Sequence, residues 1–171
     1  MKTLKAWSLA KMKIAIISDT HDNLENLKKF LNFSKKEKIK ILIHCGDVCR
    51  GETLKEIEKN FDQIYLCLGN GDIRDSLFKE AKKTKIFEKE GEIEIDGLKI
   101  GFSHFLPQTK KELENFDFYF FGHTHWPFLK EEKKCTLANP GNLAGLFYKA
   151  TFAILDTEKK LLELKIVEKI E

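Results

Sequence analysis

Four of the five histidines in this 171-residue chain fall in short polar blocks: Asp19-Thr20-His21, Gly46-Asp47, Gly69-Asn70, His104, and Gly122-His123-Thr124-His125. Carboxylate, imidazole and amide oxygen make a mixed donor set. Such a set suits Mn²⁺, Fe²⁺, Co²⁺, Ni²⁺ or Zn²⁺ better than Ca²⁺ or a cuprous ion. In extended backbone alternate side chains point the same way, so the pair Asp19 and His21, and the pair His123 and His125, could each ligate metal. Taken alone, His104 reads as a hydrogen-bonded structural histidine; its place in the series of blocks makes it a ligand candidate. The chemistry on offer is Lewis-acid binding of an anion, together with a water acidic enough to ionise near neutral pH.

A centre of this kind needs loops that converge from distant parts of the chain, and each block follows an apolar run. Residues Lys13 to Ile17 are short, apolar and rich in β-branched side chains, and break at Ser18-Asp19 as a buried strand does. Asp22, with Glu25 three positions on, predicts the cap of a helix whose Leu24, Leu27, Phe30 and Leu31 share a face. The unit then repeats. Ile39 to His44 leads into Gly46-Asp47 and a helix striped by Leu54, Ile57 and Phe61, and Gln63 to Leu68 ends at Gly69-Asn70-Gly71-Asp72. Three strands thus deliver polar residues at their C-terminal ends, where open α/β sheets place ligands.

After a short helix near Ser76 to Ala81 the pattern changes. Glu92 to Ile95 and Leu98 to Ser103 flank Asp96-Gly97, a tight-hairpin signal. Phe116 to Phe121 is apolar on both faces, which predicts a strand covered on two sides. Leu129 to Lys134, Cys135 to Ala138, Lys149 to Asp156 and Leu161 to Glu168 predict a second half richer in antiparallel strands.

Apolar residues at 42% and charged residues at 33% describe one globular domain. No stretch approaches the ~18 uncharged apolar residues of a membrane helix, so no membrane partner is expected. Thirty basic and 27 acidic side chains are mixed along the chain and leave a net charge of +3. Nucleic acid is therefore not favoured as a partner, with a local basic groove left open. Cys45, Cys49, Cys67 and Cys135 form no CxxC pair. Buried thiols in a reducing cytoplasm are the expectation, and a zinc site using Cys45 and Cys49 the lesser alternative. Residues 1–11 are expected to be an N-terminal extension or to precede an alternative start at Met12, leaving 12–171 as the single domain. Self-association into a homo-oligomer stays open.

In order, Asp-x-His, Gly-Asp, Gly-Asn, His and Gly-His-x-His resembles the calcineurin-like metallophosphoesterase family, from about Met12 to the C-terminus. The chain length, Asn70-Gly71-Asp72 and Asn139-Pro140-Gly141-Asn142 are similar to its compact bacterial and archaeal phosphodiesterase branch. The resemblance implies an α/β fold, a four-layer α-β-β-α sandwich of two mixed β-sheets flanked by helices. It also implies two divalent ions, Mn²⁺ favoured, with Ni²⁺, Co²⁺, Fe²⁺ or Zn²⁺ as alternatives. By matching position, Asp19, His21 and His125 would hold the first ion, Asn70, His104 and His123 the second, and Asp47 would bridge them. Asp47, Asn70 and His123 are then the residues expected at the reaction itself. The implied reaction is in-line attack of metal-activated water on a small phosphoester, without a phosphoenzyme. Two such ions, balanced by Asp19, Asp47 and a bridging hydroxide, would leave about one net positive charge to attract a phosphoryl group. Asp72 and His44 are expected to support the ligands from behind. Arg74 is the candidate contact for a substrate phosphate through its planar donor fork. A turn carboxylate and a solvated helix-start arginine are the plainer readings of Asp72 and Arg74.

Two positions depart from the family pattern. Gly71 stands where many relatives carry a histidine that stabilises the transition state or protonates the leaving oxygen. A general acid contributes ~10²–10⁴-fold, so its loss weighs most on poor leaving groups and favours activated diesters over alkyl monoesters. Phe105 follows His104 where glycine is common; inward packing is the expectation, and a reshaped pocket floor the alternative. The main rival function is a non-catalytic interaction scaffold, since the same fold serves as a protein-binding subunit of the eukaryotic retromer complex. Retention of all seven ligand-type residues favours the enzyme. A metal-dependent nuclease is the third reading, and the mixed charge pattern weighs against it.

Overall fold

Apolar runs of three to six residues become strands, and the alternation of their side chains sorts two cores. The computed structural model describes residues 12–107, 113–132 and 134–170, and the expected extension at 1–11 lies outside them. The first half comprises β1 (Lys13–Ile17), α1 (Leu24–Lys36), β2 (Ile41–His44), α2 (Gly51–Glu58), β3 (Gln63–Cys67), α3 (Arg74–Glu80) and β4 (Thr84–Phe87). Next come β5 (Glu90–Ile95), β6 (Leu98–Ser103), β7 (Phe118–Phe120), β8 (Phe128–Glu132), β9 (Cys135–Asn139), β10 (Thr151–Asp156) and β11 (Leu161–Ile166). One sheet has the order β11-β10-β1-β2-β3-β4, the other β5-β6-β7-β9-β8. The neighbours β1 to β4 are parallel, as are β6, β7 and β9, while β10, β11, β5 and β8 join antiparallel, so both sheets are mixed.

Ala15, Ile17, Leu42, Ile64, Leu66, Phe152 and Ile154 face one side of the first sheet and meet Leu27 and Phe30 of α1, Leu54 and Ile57 of α2, and Leu77 of α3. Their neighbours Ile14, Ile16, Ile41, Ile43, Ala153 and Leu155 face the second sheet, against Ile93, Ile100, Phe102, Phe118 and Phe120. Each such fully buried side chain contributes ~1.5–3 kcal/mol, so register in the central strands is strongly fixed. The expected α/β architecture of two mixed sheets with helices is present. On the outer side of the second sheet, Tyr119, Phe121, Cys135 and Leu137 pack with Leu113. Residues 108–112, beside the helical layer expected there, lie outside the described residues.

Several local expectations change. The cap of α1 is Asn23, whose side chain accepts the Asn26 N–H at 3.1 Å. Asp22 has turned away at φ 55° and accepts from the Thr53 hydroxyl at 2.5 Å and the Arg50 N–H at 3.2 Å, tying the first loop to α2. Leu24, expected on the buried stripe of α1, is exposed. The Asp96-Gly97 turn does have positive φ at both residues, 53° and 74°, as a two-residue hairpin requires. Strand β4 had no sequence signal, because a half-exposed edge strand lacks a clean apolar pattern. Among the described residues no helix is long and apolar enough to cross a membrane.

What holds β4 is a buried carboxylate at the end of α2. Glu58 Oε1 accepts from the Lys82, Lys83 and Thr84 N–H groups at 3.1, 3.1 and 2.9 Å and from the Thr84 hydroxyl at 2.6 Å. Burial pushes its pKa up, but these donors outweigh burial and hold the carboxyl below its ordinary value. With the folded-state pKa depressed, the stabilisation is complete above the unfolded value of about 4.3 and fades as pH falls through the folded value. Glu58→Ala is expected to cost about 2–3 kcal/mol at neutral pH by stranding several donors. Urea denaturation measures this, and the deficit against wild type should shrink below about pH 4.

Candidate metal centre

Five polar blocks meet because the parallel strands of both sheets end at one rim. Asp19 follows β1, Asp47 follows β2, Asn70 follows β3, His104 follows β6, and His123 follows β7. The sheets touch there directly: His104 Nδ1 lies 2.8 Å from the Cys45 carbonyl across the interface. Turning polar side chains onto this rim demands unusual backbone. Asp19, His21, Asp47, His123 and His125 all have positive φ, between 43° and 65°. Each such residue costs of order 1–3 kcal/mol, and Asp and His are among the non-glycine types that tolerate it best. The glycines before three of the blocks permit the approach: a Cβ on Gly122 would lie 2.0 Å from Ser18 Oγ, and one on Gly69 2.1 Å from Asp47 Oδ1.

Two overlapping groups of donors result, Asp19 with His21 and His125, and Asp19 with Asp47 and His104. Asp19 is fully buried; its Oδ2 accepts from Ser18 Oγ at 2.5 Å and the His123 N–H at 3.0 Å, while Oδ1 has no hydrogen-bond partner. His125 Nε2 lies 3.2 Å from that orphan oxygen and His21 Nε2 3.7 Å from it, and the two nitrogens are 3.3 Å apart. Asp47 Oδ1 accepts the Gly71 N–H at 2.7 Å, and its Oδ2 stands 3.6 Å from both His21 Nε2 and His104 Nε2. His104 Nδ1–H donates to Cys45, which leaves Nε2 as a lone pair facing Asn70 Oδ1 at 3.0 Å, an acceptor against an acceptor. His123 is exposed, outside both groups, with its ring 5.1 Å from that of His104.

Electrostatics agree with the geometry. Burial alone would raise the Asp19 pKa, but the nearby His21 imidazole, the Ser18 hydroxyl and the fields of His104 and His125 lower it. Asp19 in turn raises the pKa of His21 against its burial, with Asp47 adding to the effect. The rim stabilises positive charge. An orphan buried oxygen, facing lone pairs and an oxygen-nitrogen donor set fit divalent ions of the Mn²⁺ to Zn²⁺ series.

The supporting residues fall behind the donors. Asp72 does not reach a histidine; it accepts the Asp47, Gly69 and Cys49 N–H groups at 3.0, 2.7 and 2.8 Å and so fixes two loops at once. His44, fully buried with a pKa pushed down to about 3 by desolvation, is neutral. It accepts the Gly46 N–H at 3.2 Å and donates to Thr20 Oγ1 at 2.9 Å. Arg74 is paired with Glu88 at 2.7 Å and lies over the Phe78 ring. Cys45 sits in the inter-sheet core and joins neither donor group, nor does Cys49. Cys49 Sγ instead lies 3.6 Å from His21 Nδ1, where it can accept that N–H and leave Nε2 free. Phe105 does not pack inward: it is 53% exposed, with its ring on His104 and His123.

Sequence reasoning missed Ser18, which holds Asp19, whereas the Asn139-Pro140-Gly141-Asn142 turn, which the family resemblance places near the rim as structural support, does support it. Asn139 Nδ2 donates to the Gly122 carbonyl at 2.9 Å, and Asn142 Nδ2 to the His125 carbonyl at 3.2 Å. Asp72 carries the clearest consequence: Asp72→Ala is expected to weaken divalent-ion binding ~10–100-fold with the donors themselves intact. Titration of metal-free protein with Mn²⁺ measures it, and unchanged affinity would show that the Asp47 loop holds itself.

Residues 12–160 match the family model for the calcineurin-like phosphoesterase superfamily domain. The chain is 35% identical over 158 residues to phosphodiesterase MJ0936 of Methanocaldococcus jannaschii, which covers 87% of this chain and 95% of that protein. A solved structure of a novel archaeal phosphodiesterase matches with a TM-score of 0.81 at 33% identity, over 91% of this chain and 99% of the other. The phosphoesterase YfcE from E. coli (TM-score 0.73, 18% identity, 94% and 96% of the two chains) and Vps29 from Chaetomium thermophilum (0.70, 16%, 91% and 95%) share the fold. Together with the donor groups at the rim, these matches establish that the chain belongs to the calcineurin-like phosphoesterase superfamily.

Proposed function

We propose that this phosphoric ester hydrolase is a dinuclear metal-dependent phosphodiesterase, cleaving a small diester by in-line attack of water on phosphorus. The observation that carries the reading is Asp47, whose Oδ2 is equidistant at 3.6 Å from imidazoles of the two donor groups, as a bridge would be. Asp19, His21 and His125 would hold one ion and Asn70, His104 and His123 the other. When bound, the ions would supply Lewis acidity and a water ionised near neutral pH. The chain's part is preorganisation. The Gly71 N–H and the Asp72 clamp fix the Asp47 carboxylate, and Ser18 with the His123 N–H fixes that of Asp19. Asn70 and His123 are exposed and would meet the phosphoryl oxygens first.

Gly71 supports a diester. No imidazole is available there to protonate a poor leaving group, and a Cβ would meet the Asp47 carboxylate at 3.2 Å, a tight contact that the carboxylate would have to relieve by giving slightly. The relative at 35% identity is itself named a phosphodiesterase. The oxygen-nitrogen donor set is compatible with Mn²⁺, the ion the family resemblance favours, and four free cysteines support a reducing cytoplasm. Arg74 would have to leave Glu88 to serve a substrate phosphate.

Metal-free protein reconstituted with Mn²⁺, Ni²⁺, Co²⁺, Zn²⁺ or Mg²⁺ is expected to cleave bis(p-nitrophenyl) phosphate faster than p-nitrophenyl phosphate. Inactivity toward both with two ions bound would sink the enzyme reading. Asp47→Ala is expected to abolish turnover and lower the bound-metal stoichiometry measured by elemental analysis; near-normal turnover would reject the bridge.

A further inference from the structure

The rim carries an aromatic arrangement that metal chemistry leaves unused. Phe105 rests its ring on His123 and His104, with centroids 4.6 and 4.9 Å away. Phe147 is 90% exposed, and its ring stands 5.8 Å from that of His125. One phenyl therefore borders each donor group, Phe105 that of His104 and Phe147 that of His125. Next to Phe147, exposed Trp126 and Tyr148 meet edge to face at 4.9 Å.

Phe147 is held out deliberately by its loop. Its φ is 64°, a conformation that bulky residues rarely adopt. Buried Asn142 accepts the Leu146 N–H at 2.7 Å and donates to the Leu146 and His125 carbonyls at 3.2 Å each. One amide thus fixes both the backbone of His125 and that of the residue before Phe147. A fully exposed phenyl forgoes its burial, and the strained backbone adds to the cost. Both are offset if the ring contacts a ligand seated on the metals.

Resting on the diesterase reading above, we propose that Phe105 and Phe147 are specificity determinants that stack on a planar aromatic ester arm, making nucleoside phosphodiesters the preferred substrate class. A phosphoryl group at the donor cluster would direct its two ester arms outward, toward the two flanking phenyls. Every nucleobase has a π-face, so stacking on these rings favours nucleosides with little base preference. Basic and acidic side chains are mixed along the chain with a net charge of only +3, which favours short diesters over polynucleotides.

The test uses two diesters with the same leaving group and different retained arms: the p-nitrophenyl ester of thymidine monophosphate, and methyl p-nitrophenyl phosphate. With Mn²⁺-loaded wild type, kcat/KM is expected to favour the nucleoside about tenfold or more, chiefly through KM. Phe147→Ala and Phe105→Ala should each cut that ratio several-fold, and Phe147→Tyr should keep it. Because the ratio cancels losses common to both substrates, a general disturbance of the metals does not mimic the effect. A wild-type ratio near one, or a ratio that neither alanine variant moves, overturns the assignment and makes the aromatic rim a surface for another macromolecule. Failure to cleave either diester with metals bound overturns the diesterase reading itself.

Discussion

A carboxylate with no exposed surface needs partners for both oxygens, and among the described residues Asp19 finds them for only one. Its Oδ2 is held by Ser18 and the His123 N–H, while Oδ1 faces imidazole nitrogens that bring no hydrogen to it. A buried anion in that condition is costly unless a cation completes it. Much of the rim is arranged around this one group. Gly122 is bare so that Ser18 and Asp19 can pass beneath it, and the Ala144 N–H donates to the Asp19 carbonyl from the loop that also carries Phe147.

The strain at the rim is distributed and held from behind. Five of the seven proposed ligands sit in left-handed backbone, which no local preference would select across so many positions. The cores on either side of the first sheet supply the opposing free energy, since β1, β2 and β3 are covered on both faces and cannot slip register without exposing isoleucines. Hydrogen bonds from Asp72, His44, Asn139 and Asn142 then pin individual loops to those strands. Rigid strands position the donors, and neutral or capped polar groups keep them there.

The same fold is shared with Vps29 at 16% identity, so the fold alone does not choose between catalysis and assembly. The rim of this chain carries two groups of oxygen and nitrogen donors among the described residues, a position without a side chain at Gly71, and phenyl rings beside the histidines. In the proposed reaction the first would supply the metal chemistry, the second would narrow it toward good leaving groups, and the third would shape what sits beside phosphorus.

The parallel strands, the hairpin at Asp96-Gly97 and the polar blocks that meet at the rim were legible in the sequence, because each is written in local pattern: an apolar run, a turn pair, a polar block after a strand. Asn23 rather than Asp22 as the helix cap was less legible, since both residue types cap well and only the pull of Thr53 and Arg50 on Asp22 decides between them. Tertiary structure alone placed β4, which exists because Glu58 gathers its first N–H groups and β3 offers an open edge. It also turned Phe105 outward, aimed Asp72 at the Asp47 loop, and set Phe147 beside His125 across a separation of 22 residues in the chain, the difference of their numbers. Composition and periodicity encode what a residue prefers to neighbour along its own element; which distant loop it meets is fixed only when two sheets close on a common core.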